Sequence, residues 1–307
     1  MKRVDPKLMS EPAKVLVTGS SGLLGANLVR YYAPKSETTG WYATNPIKID
    51  SARIEKIDIT DHQSVSMALE RIQPDIIVHC AAATNVEWCE QNPVQAKAIN
   101  ETATEFLATK ALDLDAKFVF ISSDSVFDGH SSKYAETNSP GPLNAYASGK
   151  VRSEKSIAGA NPNALTIRSY FYGYSPAGTR SILEWVLVRA QSGNEVPGLT
   201  DSYFSPISVD DFADALDAVI TNNASGLLHI GSSDRISKYE FAKIVMEIYD
   251  CDMSLLKPIT VDDLGLKADR PRDTSFDISL LESIWDKPVA TVADGIRRFA
   301  NSANPFG

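Results

Sequence analysis

The chain has 307 residues, 43% hydrophobic and 22% charged, with 30 basic side chains against 39 acidic ones and a net charge of −9. That length suits one large core with a smaller appendage, and the acidic balance speaks against nucleic acid or an anionic membrane as a partner, since both need basic patches. Cys80, Cys89 and Cys251 fit no disulfide framework or zinc spacing, which points to a reducing cytoplasm. The four histidines are scattered and no metal set is expected; residues 1–12 do not read as a signal peptide, and no apolar run approaches the ~18 residues of a membrane span.

In chain order, Val15-Leu16-Val17 reads as a buried strand running into Thr18-Gly19. Glycines recur at 19, 22 and 25, and Leu23, Leu24, Leu28 and Val29 follow at helical spacing. Strand, glycine turn and helix are the context of a dinucleotide fingerprint: glycine lets the backbone approach a pyrophosphate, whose charge rests on the N–H groups of the helix start. The first helix is predicted to end before Pro34, with strands at 38–43 and 54–59. Asp61 opens a helix whose Val65, Ala68, Leu69 and Ile72 share one face, and Pro74 stops it. A fourth strand, 75–80, leads into Ala81-Ala82-Ala83; a long helix over 94–112 and a fifth strand over 117–121 follow.

This alternation predicts an α/β fold, a Rossmann-type doubly wound parallel sheet with its ligand site at the carboxyl ends of the strands. Those ends carry the glycine loop, the triple alanine and Ser122-Ser123-Asp124. The stretch 124–143, rich in Ser, Pro, Asn and Gly, is long for a connection inside a compact domain, which suggests function. A helix at 144–157, a sixth strand at 164–168, a helix at 181–190 and a short strand at 226–230 come next. Ser208 and Ser237 look like capping boxes, 261–277 reads as loop, and 292–299 closes the chain as a helix. Residues 1–173, with 201–232 returning to the sheet, form the expected dinucleotide-binding domain; 174–200 and 233–307 form a smaller C-terminal substrate lobe.

Tyr146 and Lys150 lie one helical turn apart on one face. A neighbouring ammonium favours the phenolate, so the tyrosine pKa is expected to fall from its usual ~10 and make Tyr146 a usable acid or base. Such pairs also occur on ordinary helix surfaces. Ser123, at the end of the fifth strand, can hydrogen-bond a carbonyl or alcohol oxygen beside the tyrosine, and the glycine loop, the serine and the pair in this order carry more weight than any one of them.

With these residues the chain resembles the extended short-chain dehydrogenase/reductase family. The resemblance rests on Thr18-Gly-Ser-Ser-Gly-Leu-Leu-Gly25, Ala81 to Ala83, Asn100, Ser123, Tyr146 and Lys150. Within the family it is similar to the dTDP-4-dehydrorhamnose reductase group through His79-Cys-Ala-Ala-Ala-Thr-Asn-Val-Glu-Trp-Cys-Glu-Gln-Asn-Pro93, Ile121-Ser-Ser-Asp-Ser-Val-Phe-Asp-Gly129, Tyr134-Ala-Glu136, Pro142-Leu-Asn-Ala-Tyr146 and Arg270-Pro-Arg-Asp-Thr274. The resemblance implies an NAD(P)H-dependent reductase of a nucleotide-linked 4-keto sugar. Tyr146 would be the general acid, Ser123 would polarise the carbonyl, and Lys150 would hold the nicotinamide ribose and tune Tyr146. Gly19, Ser21, Gly22, Leu23 and Leu24 would face the dinucleotide, Asp58 and Ile59 its adenine, and Ala81, Ala82 and Ala83 the rest of its wall, with Asn100 supporting Lys150. Ser123, Asp124, Phe171 and Arg270 would meet the sugar nucleotide, with Arg270 or Arg272 on a phosphate.

Ser125 stands where that group usually has tyrosine, and Phe171 where it has tryptophan. An epimerase shares Ser, Tyr and Lys with a reductase, and a dinucleotide-binding regulatory subunit like the methionine adenosyltransferase beta subunit is a third reading. Dehydratases carry an acidic pair after the fifth strand, whereas here Ser125 follows Asp124. NAD recognition usually places a carboxylate at the end of the second strand. Residues 40–46 hold none, so NADP is the expected cofactor, with NAD left open; a homodimer is also left open.

Overall fold

The computed structural model describes residues 12–179, 181–265 and 270–306. Seven parallel strands form the central sheet: β1 (Lys14–Thr18), β2 (Glu37–Tyr42), β3 (Ala52–Lys56), β4 (Ile76–His79), β5 (Lys117–Ile121), β6 (Leu165–Arg168) and β7 (Gly226–His229). Their order is β7-β6-β5-β4-β1-β2-β3. The order reverses between β1 and β4, and such a switch point opens a crevice at the strand ends. The apolar runs in β1, β4 and β5 are covered on both faces. Val15, Val17, Val78 and Val119 pack with Leu24 and Leu28 of α1 (Leu23–Tyr32). Leu16, Ile77, Phe118 and Phe120 pack on the other face with Val65 and Leu69 of α2 (His62–Ile72).

The glycine turn is held at close quarters. Gly19 has φ +70°, and a Cβ there would stand 2.7 Å from the Ala81 backbone nitrogen; a Cβ on Gly25 would stand 2.2 Å from the Gly19 carbonyl oxygen. Only glycine permits that approach.

The single helix expected over 94–112 is interrupted. After α3 (Val86–Gln91) and α4 (Pro93–Lys97), one π turn, Ala98–Thr102, precedes α5 (Ala103–Asp113). The π turn carries Asn100, whose side chain accepts from Ala83 N–H at 2.8 Å and donates to Ala83 C=O at 3.0 Å. Periodicity does not reveal a one-residue insertion of this kind, which serves a contact made in space.

Helix α6 (Ala145–Ala160) starts on Asn144, whose side chain accepts from Ala147 N–H. Beyond β6 come α7 (Ile182–Gln191), α8 (Val209–Thr221), α9 (Lys238–Ile248), α10 (Ser279–Ile284) and α11 (Val292–Ala300). Helix α8 is tied to α1 by Arg30 with Asp210 and by Tyr31 with Asp214, and it feeds β7 at the sheet edge. Ser237 and Glu240 form a complete capping box, as do Ser181 and Glu184. Ser208 caps only one way: the shorter Asp211 takes the Ser208 hydroxyl at 2.5 Å instead of reaching back to its backbone.

The 124–143 stretch is packed. Phe127 stacks on Tyr134 at 4.0 Å, and Tyr134 forms a bridge with Phe276. This brings the segment around Thr274 against the end of β5. Residues 266–269, inside the expected 261–277 loop, and most of 1–12 lie outside the described residues. Among the described residues no helix is long and apolar enough to cross a membrane.

Candidate active site

A cleft of about 760 Å³ opens at the carboxyl ends of the strands. Gly19, Ser21, Gly22, Leu23, Leu24, Asp58, Ile59, Ala81, Ala82 and Ala83 line one part of it, with Tyr42, Ala43 and Thr44 at the end of β2. Ser123, Asp124, Tyr146 and Phe171 line another, and Arg270 reaches it from the C-terminal lobe. The tight glycine turn beside a helix start suits a pyrophosphate, so these residues fit a dinucleotide. The Asp58 carboxylate is held locally by the Thr60 N–H and hydroxyl, at 2.9 and 2.7 Å.

Lys150 and Asn100 do not line the cleft. Lys150 is 4% exposed and donates to the Ile121 carbonyl at 2.8 Å, with its ammonium 5.9 Å from the Tyr146 ring centroid. Asn100 spends its side chain on Ala83 rather than on Lys150.

The expected lowering of the Tyr146 pKa is reversed. Burial pushes the phenol above its ordinary value; a hydrogen bond with Ser123 opposes this, and the negative field of Asp124 adds to the rise. Desolvation outweighs the Ser123 hydrogen bond, so Tyr146 keeps its proton near neutrality. Burial also lowers Lys150, to about 8, which leaves it mostly charged at neutral pH.

Ser123 caps the turn Asp124–Val126 and accepts from Ser125 N–H at 3.1 Å. Its hydroxyl donates to Asp124 Oδ1 at 3.0 Å and lies 2.9 Å from the Ser125 hydroxyl. Thr274 donates to Asp124 Oδ2 at 2.6 Å. Burial raises the Asp124 carboxyl, against the hydrogen bond from Thr274, the charge of Lys238 and the hydrogen bond from Ser123.

Among the cleft residues that the sequence reading did not name as contacts are Tyr170, Lys238 and Thr274. Lys238 opens α9, where a cation meets the positive end of the helix dipole, and that disfavoured placement was a legible signal. Its backbone N–H donates to the Ser202 carbonyl at 2.9 Å, but its ammonium has no hydrogen-bond or ion-pair partner among the described residues, and burial lowers its pKa. Arg270 gives one guanidinium nitrogen to Glu87 at 2.8 Å; its Nη1 is buried without a partner among the described residues. Arg272, the other candidate for a phosphate, does not line the cleft and is engaged by Asp201 and Asp262. A local sequence motif does not tell these two arginines apart; the acids that claim Arg272 come from elsewhere in the lobe.

The RmlD substrate binding domain model matches residues 13–304. The Probable low-salt glycan biosynthesis reductase Agl14 of Haloferax volcanii is 32% identical over 91% of this chain and 95% of its own. The methionine adenosyltransferase 2 subunit beta of Rattus norvegicus is 29% identical over 88% of this chain and 82% of its own. Among solved structures, the dTDP-4-dehydrorhamnose reductase of Bacillus anthracis in complex with NADP superposes with a TM-score of 0.82 at 25% identity, covering 94% of this chain and 98% of that one.

Proposed function

The chain belongs to the RmlD substrate binding domain family, and from that premise we propose that it is an NAD(P)H-dependent oxidoreductase that reduces a nucleotide-linked 4-keto sugar. The observation that carries this reading is the phenol of Tyr146 in the wall of a cleft that also holds Ser123 and a glycine-turn cradle. Bound in that cradle, the dinucleotide supplies a hydride to the keto carbon. Tyr146 delivers its proton to the carbonyl oxygen, and a raised pKa holds that proton until the oxygen becomes basic. Ser123 turns its hydroxyl from Asp124 to the carbonyl oxygen, while Thr274 keeps the other Asp124 oxygen paired. The Lys150 ammonium, anchored on the Ile121 carbonyl behind Tyr146, stabilises the negative charge left on the phenolate. Residues 1–173 with 201–232 carry the dinucleotide in this reading; 174–200 and 233–307 hold the sugar nucleotide, with Asp124, Phe171 and Arg270 among its contacts.

The test is NADPH oxidation over a panel of nucleotide 4-keto sugars, with turnover of at least one expected. The similarity to the methionine adenosyltransferase subunit favours a second reading, in which the dinucleotide is bound while a partner does the chemistry. Absence of turnover on the whole panel, with a stable complex with another protein, would install that reading.

The Arg270 Nη1, buried without a partner among the described residues, and the Lys238 ammonium stand at the lobe side of the cleft and would meet the substrate diphosphate. Guanidinium forks and ammonium groups bind phosphate oxygens by charge-assisted hydrogen bonds. Lys238→Gln and Arg270→Gln should each raise the sugar-nucleotide KM by about ten- to hundredfold, the worth of one hydrogen bond to a charged group, with the NADPH KM little changed. An unchanged sugar-nucleotide KM removes that residue from the substrate site.

For the cofactor, the end of β2 brings Tyr42, Ala43 and Thr44 to the cleft and contributes no carboxylate of its own to hold a ribose 2′-hydroxyl or repel a 2′-phosphate. The kcat/KM for NADPH should exceed that for NADH. A tenfold preference for NADH, about 1.4 kcal/mol in the barrier, would show that the absent carboxylate does not decide the choice.

A further inference from the structure

His79 ends β4, is 1% exposed and packs against the rings of Phe118 and Phe120, each 6.0 Å away between centroids. It takes no part in the chemistry proposed above, yet both of its ring nitrogens are engaged. Nδ1 is 2.7 Å from the Thr18 hydroxyl, at the end of β1 just before the glycine turn. Nε2 is 2.9 Å from the Thr104 hydroxyl, just after the π turn.

The surrounding bonds fix which way each hydrogen points. The Thr104 hydroxyl lies 2.7 Å from the Asn100 carbonyl oxygen. A carbonyl has no hydrogen to give, so Thr104 donates there and can only accept from His79. Nε2 therefore carries the proton. At the other end, Ala81 N–H donates to the Thr18 oxygen at 3.2 Å, which leaves the Thr18 hydrogen for a bare Nδ1. The chain of bonds runs without a break from Ala81 through Thr18, His79 and Thr104 to Asn100. Asn100 in turn clamps Ala83 by two hydrogen bonds, and the Ser153 hydroxyl of α6 is shared between its carbonyl oxygen at 2.8 Å and that of Gly149 at 2.9 Å. Ser153 stands one turn from Lys150 on the helix that also carries Tyr146.

We infer that His79, as the neutral Nε2–H tautomer, is a positioning residue that registers the Ala81–Ala83 wall of the dinucleotide cleft against both the glycine turn and the helix bearing Tyr146 and Lys150. Its two nitrogens differ in role, one donor and one acceptor, so the chain has a single direction. Apolar packing alone fixes distances; a directed hydrogen-bond chain also fixes the rotation of the peptide groups that face the cleft. The link to cofactor affinity rests on the dinucleotide reading of the cleft, whereas the tautomer does not.

The ring nitrogens of His79 can be read by NMR in wild-type protein labelled with ¹⁵N-histidine at neutral pH, its resonances assigned by their loss in His79→Gln. A protonated Nε2 beside a bare Nδ1 is expected; the opposite tautomer or an imidazolium overturns the inference. Thr104→Val removes the acceptor with little change of shape, and Thr104→Ser restores it. In Thr104→Val of unchanged far-UV circular dichroism, the NADPH Kd should rise about five- to tenfold, the worth of one buried hydrogen bond, and Thr104→Ser should return it toward wild type. A wild-type Kd in folded Thr104→Val overturns the positioning role. Wild-type protein that binds no NADPH counts against the dinucleotide reading instead, and the tautomer is then the measurement that decides the direction of the chain.

Discussion

Tyr146→Phe is expected to lower turnover by about 10²–10⁴-fold, the usual contribution of one general acid, while the NADPH Kd stays near wild type. The substitution deletes one oxygen and leaves the ring in place, so the cleft keeps its shape. What is lost is the proton donor beside Ser123. Burial makes this loss hard to replace from solvent, because it is the same desolvation that keeps the phenol protonated. Single-turnover reduction followed at NADPH absorbance separates the chemical step from binding. Full turnover in the variant would mean that another group supplies the proton, and Tyr170, which lines the same cleft, would be the next candidate.

Arg168→Met is expected to destabilise the fold by about 3–5 kcal/mol, the cost of leaving one member of a buried ion pair without its partner. The side chains of Arg168 and Glu154 are 3% and 10% exposed, and their guanidinium and carboxylate meet through two hydrogen bonds of 2.9 and 2.6 Å. Glu154 also accepts from Ser122 at 2.5 Å, which joins β5, β6 and α6 at one point beside the cleft. Removal of the guanidinium strands the carboxylate between two strands and a helix. The double variant Arg168→Met with Glu154→Leu should recover much of the loss, since a buried pair and a well-packed apolar pair are often close in stability. Urea unfolding at constant m-value measures both. A loss below about 1 kcal/mol in the single variant would show that the carboxylate finds water or another donor.

Much of the central sheet was legible because local pattern and backbone geometry are directly linked. The runs 15–17, 75–80 and 117–121 read as buried strands from their apolar residues, and glycines 19, 22 and 25 marked a tight turn before a helix. Tyr146 and Lys150 share a helix face because their separation is one turn. The short strand pairs outside the central sheet were less legible. Val196–Leu199 pairs with Leu256–Ile259, and Tyr203–Phe204 with Ile236–Ser237, over separations in which no periodicity survives.

Within the site, the identities of Ser123, Tyr146 and Lys150 came from the chain alone, but their electrostatics did not. Spacing suggested that Lys150 would pull the Tyr146 pKa down; the folded protein pushes it up, because desolvation sums over every neighbour while spacing sees one. Arg270 and Arg272 are chemically identical in sequence, and only the folded lobe turns the first into the cleft and gives the second to Asp201 and Asp262. Thr274 reaches Asp124, and Lys238 the same carboxylate's field, from far along the chain. The strands, the glycine turn and the shared helix face of Tyr146 and Lys150 were legible in the chain, since each is set by bonds and sterics within a few residues. Which donors remain unspent, which way the proton of His79 points and whether Tyr146 begins as an acid were decided by tertiary structure, because hydrogen-bond saturation and burial belong to all the elements that converge on the cleft.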